Sequence, residues 1–305
     1  MKNQIILAGG SGFIGQSLAS VLIKKDYGVI VLTRSPSHQE GGVRHVQWDG
    51  QTLGDWRQFL EGAKAVVNLT GRSINCRHTP KNRREIIDSR VNSVRVLGEA
   101  IGRCTQPPET FVQASGAGIY GDTGDRWCDE NAPAGTDFPA RVCELWEEAF
   151  QAVSASGMRK STLRLGLVLG PGGGFLKVLG KLTRWFLGGH VGSGRQFMSW
   201  IHIADLNRMF VAAIERAEIV GVFNSTSPNP VTNAEFMRTL RLALHRPWSP
   251  PVPEWAAHIG SRLMRTEASL ALTSCRAAPT HFLESGFEFE FPELRQALAN
   301  IYPNK

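Results

Sequence analysis

No apolar run in this 305-residue chain approaches the roughly 18 residues that a membrane span needs. The short run Ile5–Ala8 passes straight into glycines, unlike the longer apolar stretch of a signal peptide. Cysteine is sparse: Cys76, Cys104, Cys128, Cys143 and Cys275 are odd in number, scattered, and form no Cys-x-x-Cys pair for zinc or redox work. A reduced protein of the cytoplasm (or of an organelle matrix) is therefore expected, with no bound metal. Charged residues are only 20% of the chain, too few for a disordered polyelectrolyte. Internal repeats, low-complexity tracts and coiled-coil heptads are also missing.

What the chain has is core-forming material, glycine and a positive balance. Apolar residues make up 42%, enough for a sizeable core, and the length suits two domains or one large α/β unit with an appended part. Lys and Arg number 34 against 27 Asp and Glu, a formal charge of +7. That sign points to an anionic partner: nucleic acid, an acidic membrane surface or a phosphorylated small molecule. The 32 glycines exceed the usual share of about 7%, which implies close backbone approach at several places.

Short β-branched runs alternate with helical patterns over the first two-thirds. Residues 5–8, 29–33, 45–48, 65–69, 110–114 and 161–167 read as strands, and 12–25, 81–103 and 140–156 as helices. Strands buried on both faces and joined by helices imply a doubly wound parallel sheet of α/β class. The pattern changes after Gly170, where Pro171-Gly172-Gly173-Gly174 opens a mixed region containing the basic, aromatic stretch 177–195. A βα-like unit returns at 221–225 and 232–244. The proline-rich stretch 246–253 reads as a linker to a final segment, with a strand at 288–291 and a helix at 292–301. The expected division is a Rossmann-type domain over 1–170, regained over 203–230. A smaller C-terminal α/β substrate lobe takes 171–202 and 231–305, including a small C-terminal domain over 250–302.

Gly9-Gly10-Ser11-Gly12-Phe13-Ile14-Gly15 follows the first strand and opens the first helix, the context in which such a glycine triplet cradles a dinucleotide. Gly9 permits the tight turn, Gly12 the approach of a pyrophosphate, and Gly15 close helix–strand packing. The helix N-terminus adds free N–H groups and the positive end of its dipole. The second strand ends Leu32-Thr33-Arg34, with no acid before Glu40 to hold ribose hydroxyls. A guanidinium suits a 2′-phosphate, so NADP(H) is favoured over NAD(H), against the alternative of a solvated surface arginine.

These residues resemble the extended short-chain dehydrogenase/reductases. The glycine spacing fits, Val66-Val67-Asn68-Leu69-Thr70-Gly71 is similar to the fourth-strand motif, and the segment from Ala114 to Asp122 is similar to the fifth-strand serine segment. Arg164–Pro171 resembles the stretch bordering the nicotinamide. Gly188–Leu206, Ser227–Phe236 and Val142-Cys143 with Trp146-Glu147 are similar to signatures of an atypical, epimerase-like subfamily that also carries a small C-terminal domain, matched here over 251–301. The resemblance implies that Leu69 and Thr70 lie along adenine and ribose, with Phe13, Ile14, Thr33 and Glu85 nearby. It places Leu169 at the nicotinamide. Arg90 stands where ordinary members have an Asn; it would reach a cofactor phosphate or ribose, or else pair with Glu85 or Asp88.

The family's Tyr-x-x-x-Lys proton-transfer pair is missing: Pro139 and Cys143 stand at its positions, and the only tyrosines are Tyr27, Tyr120 and Tyr302. Ser115, also near the cofactor by resemblance, and Tyr120 are the remaining candidates for polarising a carbonyl, and His202 for proton transfer; packed-aromatic and helix-start readings compete for the last two. Arg195, Gln196 and Trp200 recur with the subfamily signature and are candidate substrate contacts. The basic run Arg72, Arg77, His78, Lys81, Arg83, Arg84 reads as a solvated face or as a lid over phosphates. Without interleaved aromatics it is a poor nucleic-acid surface. The expectation is an NADP(H)-binding oxidoreductase or epimerase acting on a small molecule, with no nucleic-acid or membrane partner and a homodimer compatible. The alternative is a catalytically silent NADP(H) sensor or regulator.

Overall fold

A computed structural model describes residues 3–263, 266–267 and 269–303. The first strand, β1 (Gln4–Ala8), runs into the glycine turn and α1 (Phe13–Lys24). The chain then forms β2 (Gly28–Thr33), β3 (His38–Glu40), β4 (Val43–Gln47), β5 (Ala65–Asn68), α2 (Pro80–Gly102), β6 (Thr110–Gly116), α3 (Phe138–Gln151) and β7 (Arg159–Leu165). Beyond these come β8 (Leu167–Leu169), α4 (Gly174–Arg184), β9 (Phe197–Met198), β10 (Trp200–His202), α5 (Ile203–Glu215) and β11 (Gly221–Ser225). The rest is β12 (Val231–Thr232), α6 (Asn233–Ala243), α7 (Glu254–Leu263), α8 (Ser269–Leu272), α9 (Thr280–Glu284) and α10 (Leu294–Ile301).

Eight strands form one sheet in the order β11-β7-β6-β5-β1-β2-β4-β3. All neighbours are parallel except β3, which pairs antiparallel with β4. Ile5, Ile6, Leu7, Val66, Val67, Phe111 and Val112 are fully buried, as strands covered by helices on both faces must be. The chain leaves β1 for β2 on one side and later returns to β5 on the other. That reversal opens a crevice beyond the strands' carboxyl ends, where open α/β sheets place their ligands.

A second apolar cluster, separate from the sheet core, joins Leu169, Leu176, Met198, Trp200, Phe236 and Leu298. One local expectation changes, and two elements are additional. The strand expected at 288–291 does not form, because the Glu290 and Phe291 N–H groups donate to the buried Asp205 carboxylate at 2.7 and 2.9 Å. β3 is one addition, an edge strand whose His-Gln-Glu carries no apolar alternation to signal it. The region after Gly170 holds a helix, α4, which begins among glycines.

Candidate functional site

Gly9, at φ +72°, needs the backbone freedom of glycine, and a Cβ there would lie 2.8 Å from Thr70 Oγ1. A Cβ on Gly15 would lie 2.3 Å from the Gly10 carbonyl oxygen, so only glycine lets α1 settle onto the turn. Gly12, the residue preceding α1, is different: a Cβ there meets nothing within 4 Å. Its face is open, beside the free N–H groups of the helix. Phe13 lies against the glycine loop that follows β8, where a Cβ on Gly173 would strike its ring at 2.1 Å. Ile14 packs against the sheet core.

Across the crevice, Leu69 N–H donates to the Ala8 carbonyl at 2.8 Å, which binds the end of β5 to β1. Thr70 N–H donates to Asn68 Oδ1 at 3.1 Å, while Thr70 Oγ1 is buried and has no protein partner. Thr33 Oγ1 donates to Ser11 Oγ at 3.3 Å, tying the end of β2 to the glycine turn. Arg34 is exposed and lines an open cavity of about 810 Å³ with Ser37, Arg44, Gln47 and Trp48.

Arg90 makes no ion pair with Glu85 or Asp88. Its Nη1 donates to the Arg72 and Ile86 carbonyls at 2.9 and 3.1 Å, and its guanidinium lies 4.9 Å from the Trp146 ring centre. Burial holds its pKa below the ordinary arginine value. No carboxylate offsets that charge among the described residues. Glu85 pairs instead with Arg72, and Arg72 Nη2 donates to Asn82 Oδ1 at 2.9 Å. Arg83 lies over Phe138 at 4.8 Å. Much of the basic run is therefore engaged locally, and Arg77, Lys81 and Arg84 are exposed.

The Tyr-x-x-x-Lys positions now have a physical description. Pro139, Cys143 and Glu147 form one stripe of α3 facing the end of β6. Pro139 has no proton to exchange, and burial pushes the Cys143 thiol up to about 11. Ser115 Oγ donates to Glu147 Oε1 at 2.6 Å. Glu147 also takes Arg164 Nε at 3.0 Å and Nη2 at 2.8 Å, a buried bidentate pair. Arg164 Nη1 donates in turn to Tyr120 Oη and the Glu130 carbonyl, both at 3.0 Å. Tyr120 Oη donates to Asn224 Oδ1 at 2.7 Å, and burial raises its pKa to about 12.

Ser115 and Tyr120 thus belong to one network, but as its interior members. Tyr120 is 1% exposed and its proton is committed to Asn224, so the packed-aromatic reading replaces the catalytic one. Glu147 and Arg164 lie 17 residues apart and follow no linear motif; the signal in the sequence is an arginine set between Leu163 and Leu165.

His202 lies outside this network. Its Nδ1 accepts from the Ala204 N–H at 3.2 Å, capping α5, and its ring meets Phe291 at 4.0 Å. Burial lowers its pKa, so the helix-start reading describes it. Trp200 is fully buried with Nε1 donating to the Asn229 carbonyl at 2.9 Å, and Gln196 Nε2 donates to the Val191 and Ala271 carbonyls, both at 3.0 Å. Both side chains hold the lobe together in place of the expected substrate contact. Leu169 is likewise buried, in the second core. Arg195 alone of the three signature residues is exposed.

Comparison with known proteins gives two matches to family descriptions. Residues 5–224 match the NAD dependent epimerase/dehydratase family, and residues 252–301 match a domain of unknown function, DUF1731. The epimerase family protein YfhF of Bacillus subtilis is 34% identical over 303 residues, covering 99% of this chain and 98% of that protein. The epimerase family protein SDR39U1 homolog, chloroplastic, of Arabidopsis thaliana is also 34% identical, covering 97% and 86%. A crystal structure of human epimerase family protein SDR39U1 (isoform2) with NADPH superposes with a TM-score of 0.87 at 31% identity, covering 99% of this chain and all of that one.

Proposed function

Because the chain belongs to the NAD dependent epimerase/dehydratase family, we propose that it binds NADP(H) across the β1–β5 crevice and acts on a small molecule as an oxidoreductase or epimerase-like protein. The observation that carries this reading is the pairing of the open Gly12 face with an exposed Arg34 at the end of β2. Gly9, Gly12 and Gly15 shape the pyrophosphate cradle. Arg34, beside Ser37 and Arg44, takes the 2′-phosphate, where an acid would repel it. The unpartnered Thr70 Oγ1 and the uncompensated Arg90 supply a hydroxyl and a cation for ribose or phosphate. The related human SDR39U1 in its NADPH complex supports the cofactor assignment.

Bound NADP(H) supplies hydride donation or acceptance. The protein's part is to orient, to exclude water and to manage a proton, and its network limits the last. Ser115 is the polar side chain of that network nearest the end of β6, but its proton points at a carboxylate already paired with Arg164. We assign Ser115 to positioning, and Arg195 to an anionic group of the substrate. In this reading residues 1–170 with 203–230 form the cofactor unit, and 171–202 with 231–305, including 250–302, form the substrate lobe. The location is cytoplasmic and the five thiols are reduced.

The sensor reading is favoured by one observation: Pro139 carries no exchangeable proton, and Cys143, Tyr120 and His202 are all buried. Ser115→Ala separates the two. Loss of turnover on a carbonyl compound or nucleotide sugar, with NADPH affinity intact, supports the enzyme. Saturable NADPH binding with no turnover in a broad screen of such compounds supports the sensor. Absence of saturable NADPH binding by fluorescence overturns both.

A further inference from the structure

β3 and β4 form an exposed hairpin at the end of the sheet. Their register sets His38 directly opposite His45, and Glu40 follows two residues later on the same face as His38. The two imidazoles are stacked, with ring centres 4.2 Å apart and planes 5° from parallel. His38 Nε2 lies 3.9 Å from Glu40 Oε2. One ligand atom from each of the three residues lies within 4.8 Å of the others.

Two further features suit a metal rather than a chance cluster. His38 Nδ1 is 2.9 Å from the Pro36 carbonyl, which can only accept. The proton therefore sits on Nδ1, and the Nε2 lone pair faces Glu40. A ligating histidine is commonly held this way, its second nitrogen donating to a backbone carbonyl. His45 Nδ1 is buried and has no protein partner, an unmet polar atom beside the cluster.

We propose that His38, Glu40 and His45 form a binding site for a zinc-class divalent cation, which clasps the edge strand β3 to β4. Two imidazoles and one carboxylate, with water in the fourth position, are a donor set that suits Zn²⁺, at metal–ligand distances of about 2.0–2.2 Å. The stacked rings must open so that their lone pairs converge, and the exposed side chains of His38 and Glu40 leave room for it. Loading breaks no covalent bond. A metal here would bridge a three-residue edge strand, the kind of sheet margin that needs protection. The site involves none of the residues assigned to the cofactor, so it stands or falls independently of NADP(H) binding.

The test is titration of chelator-treated full-length protein with Zn²⁺ by calorimetry, with Co²⁺ absorption as a readout of donor type. The expected result is one saturable site at micromolar concentration, no thiolate-to-cobalt charge-transfer band, and a thermal midpoint that rises with zinc. His38→Gln, at an exposed position that should not disturb folding, weakens binding at least about tenfold, and His45→Ala removes it; loss of a hydrogen-bonded ligand partner alone changes affinity by roughly 10–100-fold. The proposal is overturned by equal affinity in His38→Gln and the parent, by a thiolate band placing the metal on cysteines, or by no saturable binding up to about 100 μM.

Discussion

Removing the Glu147 carboxylate should be among the most damaging single changes in the chain. Glu147→Ala leaves the Arg164 guanidinium, whose side chain is 10% exposed, without its bidentate partner. Stranding one member of a buried ion pair costs about 3–5 kcal/mol. Loss of the acceptor for Ser115 adds roughly 1 kcal/mol. Against a total stability of about 5–15 kcal/mol, that is about a quarter or more, and at roughly 2–4 °C per kcal/mol the midpoint should fall by about 8–24 °C. Glu147→Leu combined with Arg164→Met should cost less than Glu147→Ala alone, because no charge is then left buried. Equilibrium urea unfolding at constant m-value measures both. A Glu147→Ala variant within about 1 kcal/mol of the parent would refute the reasoning. So would a double variant whose loss equals the sum of the two single losses, since the partners would then not be coupled.

The glycine turn gives a contrast between two positions three residues apart. Gly12→Val should leave the thermal midpoint nearly unchanged and weaken NADPH binding at least about tenfold, because its Cβ enters open space. Gly15→Ala should unfold or severely destabilise the protein, since its Cβ meets the Gly10 backbone at 2.3 Å; circular dichroism and cofactor titration separate the outcomes. In alkali, Tyr120 keeps its proton in the folded state up to about 12, against 10.0 for an ordinary tyrosine. The unfolded chain therefore releases that proton first, and stability present below pH 10 is lost as pH rises from 10 to 12, by about 2–3 kcal/mol from this residue. Tyr120→Phe should be less stable at neutral pH and show a shallower alkaline decline; an unchanged decline would place the Tyr120 proton elsewhere.

The sheet was readable because β1, β2 and β5 are apolar and largely β-branched, and turn signals separate them from the more mixed β6 and β7. The glycine turn was readable because its strongest demands are local: Gly9 takes a positive φ, and Gly15 packs on the Gly10 backbone. Side-chain direction was not readable. Trp200, Gln196 and His202 look like a ligand surface in one dimension, yet each is turned inward to a carbonyl or an N–H that lies in another turn, loop or helix. The Glu147–Arg164 pair joins a helix to a strand and exists only once α3 lies against the sheet. His38 and His45 meet through hairpin register and follow no linear motif. The +7 balance with which the chain presents itself is partly spent at home, since Arg72, Arg83 and Arg164 all have protein partners.

Paired titrations with NADPH and NADH, following nicotinamide fluorescence in the parent and in Arg34→Asp, test the central claim most directly. A charge-assisted contact of about 1.5–3 kcal/mol corresponds to roughly a 10–150-fold preference. The account predicts saturable binding of both cofactors, tighter for NADPH by at least about tenfold. It also predicts that Arg34→Asp loses that preference while NADH affinity changes little. Equal affinity for the two cofactors in the parent, or an equal loss of both in Arg34→Asp, would contradict it.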